Sequence, residues 1–450
     1  MESTLSTADN IPLIGELALN LDDARAPYIL SNNQTTSYCP QNIVTHAGTN
    51  VLELNFSSSD TWLSPSSLII SFDIENTDPN HGLEFLSTDM QVIFSRLQVR
   101  ASGITLEDQN QNFNRLTTLL NKLQSTDKIL ETSALALGTP QAMSAAAGGA
   151  VTPDLFSVEQ IKPEIIPPGG KRRVCMRLTT SMVFASSGKF WPLFAINQGL
   201  TLLLTLDQPE NVVKRNNVNG VASQSTSFQL SAIVGLWDSI TLDSSLQNRY
   251  FQTLAAGQSL LWSGSQWDTY EVFIPVNTQG QFAATISKNA SRLMTVFNTF
   301  VPRLTPADKD AGRNYCNTFK GYGEFLNSRN DVQLQLHVGS SVFPQRPCRS
   351  YSELYYRLLR ALGILTSQAH SIAVSKKDFD TNTFVFATNL EKHDGVASTG
   401  LNTQGVDMRV SGTNLSDGQN EADSSIDRVY FHTHQEVYVQ IMAGSVTLLT

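Results

Sequence analysis

Cysteine is scarce in this sequence and is never closely spaced. A chain of 450 residues contains only four cysteines. Disulfide frameworks and zinc ribbons need cysteines at short, paired spacings, so neither is predicted, and free thiols in a reducing compartment are expected. The four residues are Cys39, Cys175, Cys316 and Cys348.

Long apolar runs and a secretion signal are also missing. The longest apolar run, residues 199–206, has the length of a strand and is far shorter than the roughly 20 residues that a membrane span requires. The amino-terminal segment contains Glu2 and Asp9 and lacks a basic start followed by an apolar core. This pattern predicts a protein that is not secreted.

Charge is low and weighted towards acid. Charged residues make up 16% of the chain, and the formal net charge is −9. Phosphate binding needs clustered Lys and Arg, so nucleic acid is not expected to be the main partner. The only basic triplet, residues 171–173, is interpreted as the solvated start of a strand. A low charge with many Ser, Thr, Asn and Gln residues is typical of a β-rich surface that packs against neighbours.

A strand followed by a helix occurs twice, in residues 92–123 and again in residues 233–257. Each stretch first alternates apolar and polar residues, which is the period of a half-buried strand. The spacing then becomes helical, as from Phe113 to Leu123, and the second helix is expected to end at Gly257. The sequence thus predicts one structural unit used twice.

The rest of the chain is mostly strand and loop. A third helix is predicted after the capping box Ser350–Glu353 and is expected to end at Gly363. Many short strands and only a few short helices indicate an all-β fold, with two β-sandwiches in tandem. The further strand patterns lie at residues 51–56, 67–74, 173–183, 200–206, 270–276, 292–301, 332–338, 383–388 and 429–449.

Changes in composition suggest four segments. Residues 1–37 are interpreted as an arm, and residues 38–210 as the first sandwich. The Asn-, Val- and Ser-rich residues 211–227 are the best candidate for a linker, since they have almost no pattern. Residues 228–450 are then the second sandwich.

No catalytic motif is present: we find no nucleophile elbow, no phosphate-binding glycine loop and no metalloprotease pair. One group of residues suggests metal chemistry. His432, His434 and Glu436 alternate along one predicted strand, and two imidazoles with a carboxylate are suitable ligands for a divalent metal. A His-x-His strand is similar to the pattern of cupin enzymes, so a metal-dependent bicupin-type enzyme is one alternative.

The cupin pattern is incomplete, however, because a single residue, Gln435, separates His434 from Glu436. The apolar residues Val437 and Val439 continue the inward face of the strand, so the histidine face is expected to point outward. We therefore interpret it as a polar face that meets solvent or a neighbouring subunit. No catalytic, cofactor-binding or metal-binding residue is predicted.

Two smaller charged groups have structural interpretations. Arg96 and Arg100 lie on the outer face of the first strand–helix unit and are interpreted as a solvated face, with partner contact as the alternative. Glu107 and Asp108 form a carboxylate pair, which is interpreted as the start of the following helix, where acidic residues are favourable.

Six segments together resemble the double jelly-roll major capsid proteins of double-stranded DNA viruses, the lineage of Polinton-like viruses, virophages and adenovirus hexon. They are spread over most of the chain and occur in the order found in the family. The segments are residues 94–120, 190–208, 239–260, 351–364, 376–405 and 436–449.

The resemblance implies two eight-stranded jelly rolls side by side in a structural protein without catalysis. Such proteins form homotrimeric, pseudo-hexameric capsomers that tile an icosahedral shell with neighbouring capsomers, penton and minor capsid proteins. The implied location is the virion, assembled inside the host cell. Residues 125–170 and 391–427 are candidates for the outer loops and trimer contacts. A β-sandwich carbohydrate-binding or spike protein is the remaining alternative.

Overall fold

The structure is a computed structural model. It describes residues 30–38, 44–46, 51–85, 89–109, 112–124, 141–143, 161–163, 165–186, 188–213, 217–218, 221–222, 225, 227–242, 244–275, 282–304, 313–319, 333–364, 374, 379, 383–391, 400–413 and 426–449.

Strands dominate the described residues. They are β1 (Leu30–Tyr38), β2 (Val44–His46), β3 (Val51–Phe56), β4 (Trp62–Asn76), β5 (Phe94–Ala101), β6 (Ile104–Gln109), β7 (Gln141–Met143), β8 (Ile161–Pro163), β9 (Lys171–Met176), β10 (Trp191–Pro192), β11 (Leu200–Leu206), β12 (Asn217–Val218), β13 (Val221–Ala222), β14 (Phe228–Leu242), β15 (Leu260–Phe273), β16 (Phe282–Ser287), β17 (Leu293–Pro302), β18 (Gln333–Val338), β19 (Ser341–Cys348), β20 (Phe386–Asn389), β21 (Asp407–Thr413), β22 (Ile426–Met442) and β23 (Ser445–Leu449).

The three predicted helices are confirmed. The described residues add one short α-helical turn, Pro209–Val212, and two 3₁₀ turns, Met90–Ile93 and Leu193–Ala195. At the start of the third predicted helix, the Ser350 hydroxyl accepts a hydrogen bond from the Glu353 backbone N–H at 3.2 Å. The Glu353 carboxylate accepts from the backbone N–H of Arg349. The helices are α1 (Phe113–Gln124), α2 (Pro209–Val212), α3 (Ser244–Ala255) and α4 (Tyr351–Ala361).

The first sandwich consists of two antiparallel sheets. One has the order β1-β14-β4-β10, with β2 beside β14 and β9 beside β4, and the other has the order β3-β11-β5-β6. If β1 with β2, and β9 with β10, are each counted as one position, the sandwich has eight strand positions. The first sheet then joins the first, eighth, third and sixth positions, and the second sheet joins the second, seventh, fourth and fifth.

The second sandwich repeats this order. Its sheets are β15-β22-β17-β20, with β23 beside β22, and β16-β21-β18-β19. These are again the first, eighth, third and sixth positions and the second, seventh, fourth and fifth. Two four-stranded sheets connected in this way form a jelly roll. The predicted all-β fold with two eight-stranded jelly rolls is therefore confirmed.

Each jelly roll has its own core because its strands alternate. In β11, every leucine at an even position is buried and every residue between them is partly exposed. Aromatic rings join the two sheets of each sandwich: Phe72 meets Phe94 edge-on at 6.4 Å in the first, and Phe282 meets Phe300 at 5.5 Å in the second.

The predicted start of the second jelly roll at residue 228 is wrong. β14 pairs with β4 and β1 and completes the first jelly roll, whereas the second begins with β15 at Leu260. The predicted linker, residues 211–227, is thus followed by a strand of the same sandwich, and Val212 and Val213 belong to the first core. A polar loop inside a domain has the same composition as a linker between domains, so composition alone did not distinguish them.

Two further segment boundaries change. Residues 30–37 of the predicted arm lie in β1, which pairs with β14, while residues 1–29 are outside the described residues. The polar excursion predicted for residues 391–427 contains β21, which lies between β16 and β18. Most of the other loop candidate, residues 125–170, is outside the described residues.

The two jelly rolls exchange core residues where they meet, and we call this contact the seam. It is formed by α1, β6 and the turn 181–184 on one side and by β15 and β22 on the other. Four leucines of α1 pack in the second core, and six residues of the second jelly roll pack in the first core. They are Leu116, Leu119, Leu120 and Leu123, and in the opposite direction Leu260, Trp262, Val437, Val439, Ile441 and Val446.

Gly199→Ala is expected to destabilise the protein more than Gly188→Ala. Both glycines have positive φ values, of 69° and 75°, which cost an alanine roughly 1–2 kcal/mol. At Gly199 a Cβ would also lie 2.3 Å from the backbone oxygen of Phe56, whereas nothing lies within 4 Å at Gly188. Chemical denaturation of both variants measures the added cost of the close approach, and equal losses would contradict it.

Candidate functional site

His432, His434 and Glu436 lie on one face of β22, as predicted, and His434 and Glu436 are partly exposed on it. His432 is fully buried. Strand β22 pairs with β15 and β17, and at Tyr430 the same face is covered by Arg115 of α1. This is the outer face of the sheet, as predicted, but near His432 it is covered by the first jelly roll of the same chain and not by solvent or a neighbouring subunit.

Both ring nitrogens of His432 have hydrogen-bond partners. Nδ1 lies 2.9 Å from the Thr269 hydroxyl, and Nε2 lies 3.2 Å from the Thr299 hydroxyl. Burial, together with the positive charge of Arg115, holds the pKa of His432 well below its usual value, so the ring is neutral. A neutral ring between two hydroxyls has a structural role and offers no free lone pair to a metal.

His434 and Glu436 are occupied in other ways. The His434 ring stacks on Trp267 at 4.3 Å, and burial lowers its pKa to about 4. The Glu436 carboxylate accepts a hydrogen bond from the Tyr438 hydroxyl at 3.1 Å. Among the described residues, no group of three or more His, Cys, Asp or Glu side chains is placed to hold a metal ion.

We expect His434→Ala to leave the metal content of the protein unchanged. The stacked ring and the occupied nitrogens of His432 make a divalent ion at this strand unfavourable. Elemental analysis after incubation with zinc and gel filtration is the measurement. One equivalent of metal per chain that disappears in the variant would instead support the bicupin-type enzyme.

One charged residue at the seam is Arg115 of α1, which has no solvent exposure. Its guanidinium donates hydrogen bonds to the backbone oxygens of Tyr315 and Thr318 and to the Thr299 hydroxyl, the last at 2.8 Å. It also lies over the Tyr430 ring, 4.0 Å from its centroid. All these partners belong to the second jelly roll, so one arginine of the first bonds three points of the other.

Burial lowers the pKa of Arg115 to about 10, so the guanidinium remains charged at neutral pH. A buried charge is tolerated only when its donors are satisfied. Here two carbonyls and one hydroxyl accept from the two terminal nitrogens, while Nε has no hydrogen-bond partner among the described residues. The ring of Phe319 lies 4.4 Å from the guanidinium carbon. Arg115 therefore fixes α1 in one position on the second jelly roll.

The same helix is bound to its own jelly roll by two asparagines. Asn114 donates to the Asp207 carboxylate at 2.5 Å, and Asn121 donates to the Asp89 carboxylate. Burial raises the pKa of both aspartates. Together with Arg115, these bonds make α1 a polar connection between the two sandwiches.

Glu107 and Asp108 do not start a helix, because both lie in β6. Asp108 is on the outer face and forms a two-point ion pair with Arg96, at 2.7 and 2.9 Å. Glu107 points to the other side and is completely buried. The alternation of a strand thus separates two neighbouring carboxylates into different environments.

The other basic residues considered in the sequence, Arg100 and the triplet 171–173, lie on strands β5 and β9. Arg100 is exposed and donates to Gln98, which agrees with the predicted solvated face. In the basic triplet, Lys171 pairs with Glu75 at 3.0 Å and Arg173 with Asp73 at 3.1 Å. These two ion pairs neutralise much of the positive charge of the triplet.

Two further observations concern the thiols and the helices of the described residues. Cys175, Cys316 and Cys348 are free thiols, while Cys39 is outside the described residues. No helix in the described ranges combines the length and the apolar character that a membrane crossing requires.

No family model and no curated protein sequence matches the chain, but solved structures of viral capsids do. The PBCV-1 virus capsid aligns with a TM-score of 0.59 and 13% identity over 93% of this chain and 97% of that chain. The Sputnik virophage structure gives 0.52 and 11% over 98% and 93%. The Faustovirus major capsid protein gives 0.51 and 9% over 96% and 94%. The chain therefore has the double jelly-roll fold of these proteins.

Proposed function

We propose that the protein is the major capsid subunit of an icosahedral double-stranded DNA virus and that its role is structural, without catalysis. The observation that carries this proposal is the repetition of one strand order in two jelly rolls joined by a bonded seam. Three such chains around a threefold axis place six similar sandwiches in a ring. A trimer then has a nearly hexagonal outline and can tile a closed shell.

The structural comparisons support this proposal. The three solved structures come from two viruses and a virophage and align over nearly the full length of both chains. The net charge of −9 is consistent with a shell that does not neutralise its genome with a basic arm. Sequence-specific nucleic-acid binding is not part of the proposal.

We divide the chain at α3, with the first jelly roll in residues 30–242 and the second in residues 260–449. Residues 125–170 and 391–427, apart from the strands they contain, are our candidates for the outer loops and trimer contacts. The proposed partners are two further copies of the chain, neighbouring capsomers, and penton and minor capsid proteins. The proposed location is the virion, after assembly inside the host cell and without secretion.

Size-exclusion chromatography with light scattering tests the proposed subunit. We expect a stable particle with three times the 49.4 kDa mass of one chain. The measurement is repeated over a tenfold dilution, because a specific trimer keeps its mass where weak association does not. A strict monomer at all concentrations would count against the capsid proposal.

A further inference from the structure

Glu107 occupies an unusual position in the seam. Its carboxylate is completely buried and accepts hydrogen bonds only from neutral groups among the described residues. The backbone N–H of Met182 donates to both carboxylate oxygens at 2.9 Å, and the Ser181 hydroxyl donates at 2.7 Å. The Gln109 amide adds a bond of 2.6 Å. An ionised carboxylate at this point therefore has donors but no cation beside it.

The turn that Glu107 binds rests on the second jelly roll. Met182 lies against Gly264 of β15 so closely that a Cβ on this glycine would come within 2.8 Å of the Met182 side chain. One strand position further, Lys189 donates to the backbone oxygen of Ser263 at 2.8 Å. The turn that donates to Glu107 is therefore in direct contact with β15 of the second jelly roll.

Among the described residues, Asp268 is the charged group that acts on Glu107 across the seam, and Lys288 lies beside Asp268. Asp268 of β15 is a like charge that opposes ionisation of Glu107. Lys288 is already bonded to Asp268 at 2.5 Å, so this cation compensates Asp268 first. On its own sheet, the ion pair of Arg96 and Asp108 lies on the opposite face of β6.

We propose that the seam is a pH-sensitive joint, in which uptake of one proton by Glu107 holds the two jelly rolls together more tightly. The protonated acid can donate its O–H to the Ser181 oxygen, which lies at hydrogen-bond distance. Protonation also removes the repulsion from Asp268. The inference concerns the isolated chain and is independent of the proposed capsid role.

The sign of the effect follows from the pKa of Glu107. Burial raises this pKa from 4.5 to about 7, so the folded chain binds the proton more strongly than the unfolded chain. The stabilisation is complete below the unfolded pKa and is lost as the pH rises through 7. His432 and His434, whose pKa values are lowered, act in the opposite direction. For this reason the test compares variants at each pH.

Glu107→Gln is the test, because glutamine is neutral at every pH. Chemical denaturation between pH 5 and 8 gives the folding equilibrium constants of the wild type and the variant. In the ratio of the wild-type constant to the variant constant, the contributions of the histidines cancel. This ratio is expected to fall about 70-fold from pH 5 to pH 8. Glu53→Gln, at an exposed position of β3, is the matched control with a flat ratio. A flat ratio for Glu107→Gln as well would overturn the proposal.

A wild-type measurement covers the case in which the variant does not fold. Infrared spectra of protein labelled with ¹³C-glutamate should show one protonated carboxyl group at pH 6 that ionises near pH 7. Amide exchange in β6 and β15, corrected for its intrinsic pH dependence, should accelerate over the same range. Full ionisation at pH 6, or exchange that does not follow the titration, would overturn the proposal.

Discussion

Arg115→Met is expected to lower the free energy of unfolding by about 3 kcal/mol. The methionine retains much of the side-chain volume but leaves the oxygens of Tyr315 and Thr318 and the Thr299 hydroxyl without this donor. Each buried polar group that loses its partner costs about 1–3 kcal/mol. Removal of a desolvated charge offsets part of this loss. The expected value is therefore below the sum of the costs of the three acceptors.

Arg100→Met is the matched control, since Arg100 is exposed on the outer face of β5. A change within about 0.5 kcal/mol is expected there. Urea denaturation of both variants, followed by tryptophan fluorescence, is the measurement. Arg115→Lys distinguishes the contribution of the charge from that of the hydrogen bonds, because lysine keeps the charge but does not reproduce the planar arrangement of donors. Equal stability of Arg115→Met and the wild type would show that the seam does not depend on this arginine.

Trp262→Ala is expected to cost about 4 kcal/mol. The ring is fully buried and meets Trp191 edge-on, with centroids 5.3 Å apart. Trp262 belongs to β15 of the second jelly roll but packs in the core of the first. Its truncation therefore leaves a cavity at the seam, and the loss should appear in the cooperative unfolding of both jelly rolls.

Phe273→Ala on the same strand is the control. Its side chain is the most exposed of the large apolar residues in the described part of the chain, at 62%, and one face of its ring meets Arg428. A loss of at most about 1 kcal/mol is expected. If Trp262→Ala unfolds in two separate steps, the jelly rolls are independent units once the seam is weakened. A loss as small as that of Phe273→Ala would contradict the packing described here.

Strand alternation made much of the fold predictable. The apolar positions of β3, β11 and β18 repeat with period two, and their buried faces follow this period. The helices were predictable from their caps and spacing, as the bond between Ser350 and Glu353 shows. These features depend on residues close in sequence, which is where patterns are most informative.

The seam was not predictable in this way. The stripe from Phe113 to Leu123 indicated a helix with one apolar face, but residues 113–120 are buried on all sides. Thr117 and Thr118 bond to carbonyls of their own helix, and Arg115 bonds to the other jelly roll. A polar side chain on a helix looks the same in sequence whether water or a second domain satisfies it.

The same limit explains why the surroundings of the histidines and of Glu107 were not predicted from the sequence. Alternation correctly placed His432, His434 and Glu436 on one face of β22 but gave no information on what covers that face. For Glu107, the change of period was located too early, so a buried strand residue was interpreted as a helix start. The available sign that Glu107 lies in a strand was Gln109, two residues later. Gln109 lies on the same face of β6 and donates to the Glu107 carboxylate.

Electron cryo-microscopy of the purified protein tests the central claim most directly. We expect threefold particles in which three chains contribute six jelly rolls to a nearly hexagonal ring. We also expect these particles to assemble into closed shells. Within each chain, α1 should lie on the second jelly roll with Arg115 against Tyr430. Isolated monomers, or particles in which the two jelly rolls of one chain vary in relative orientation, would contradict it.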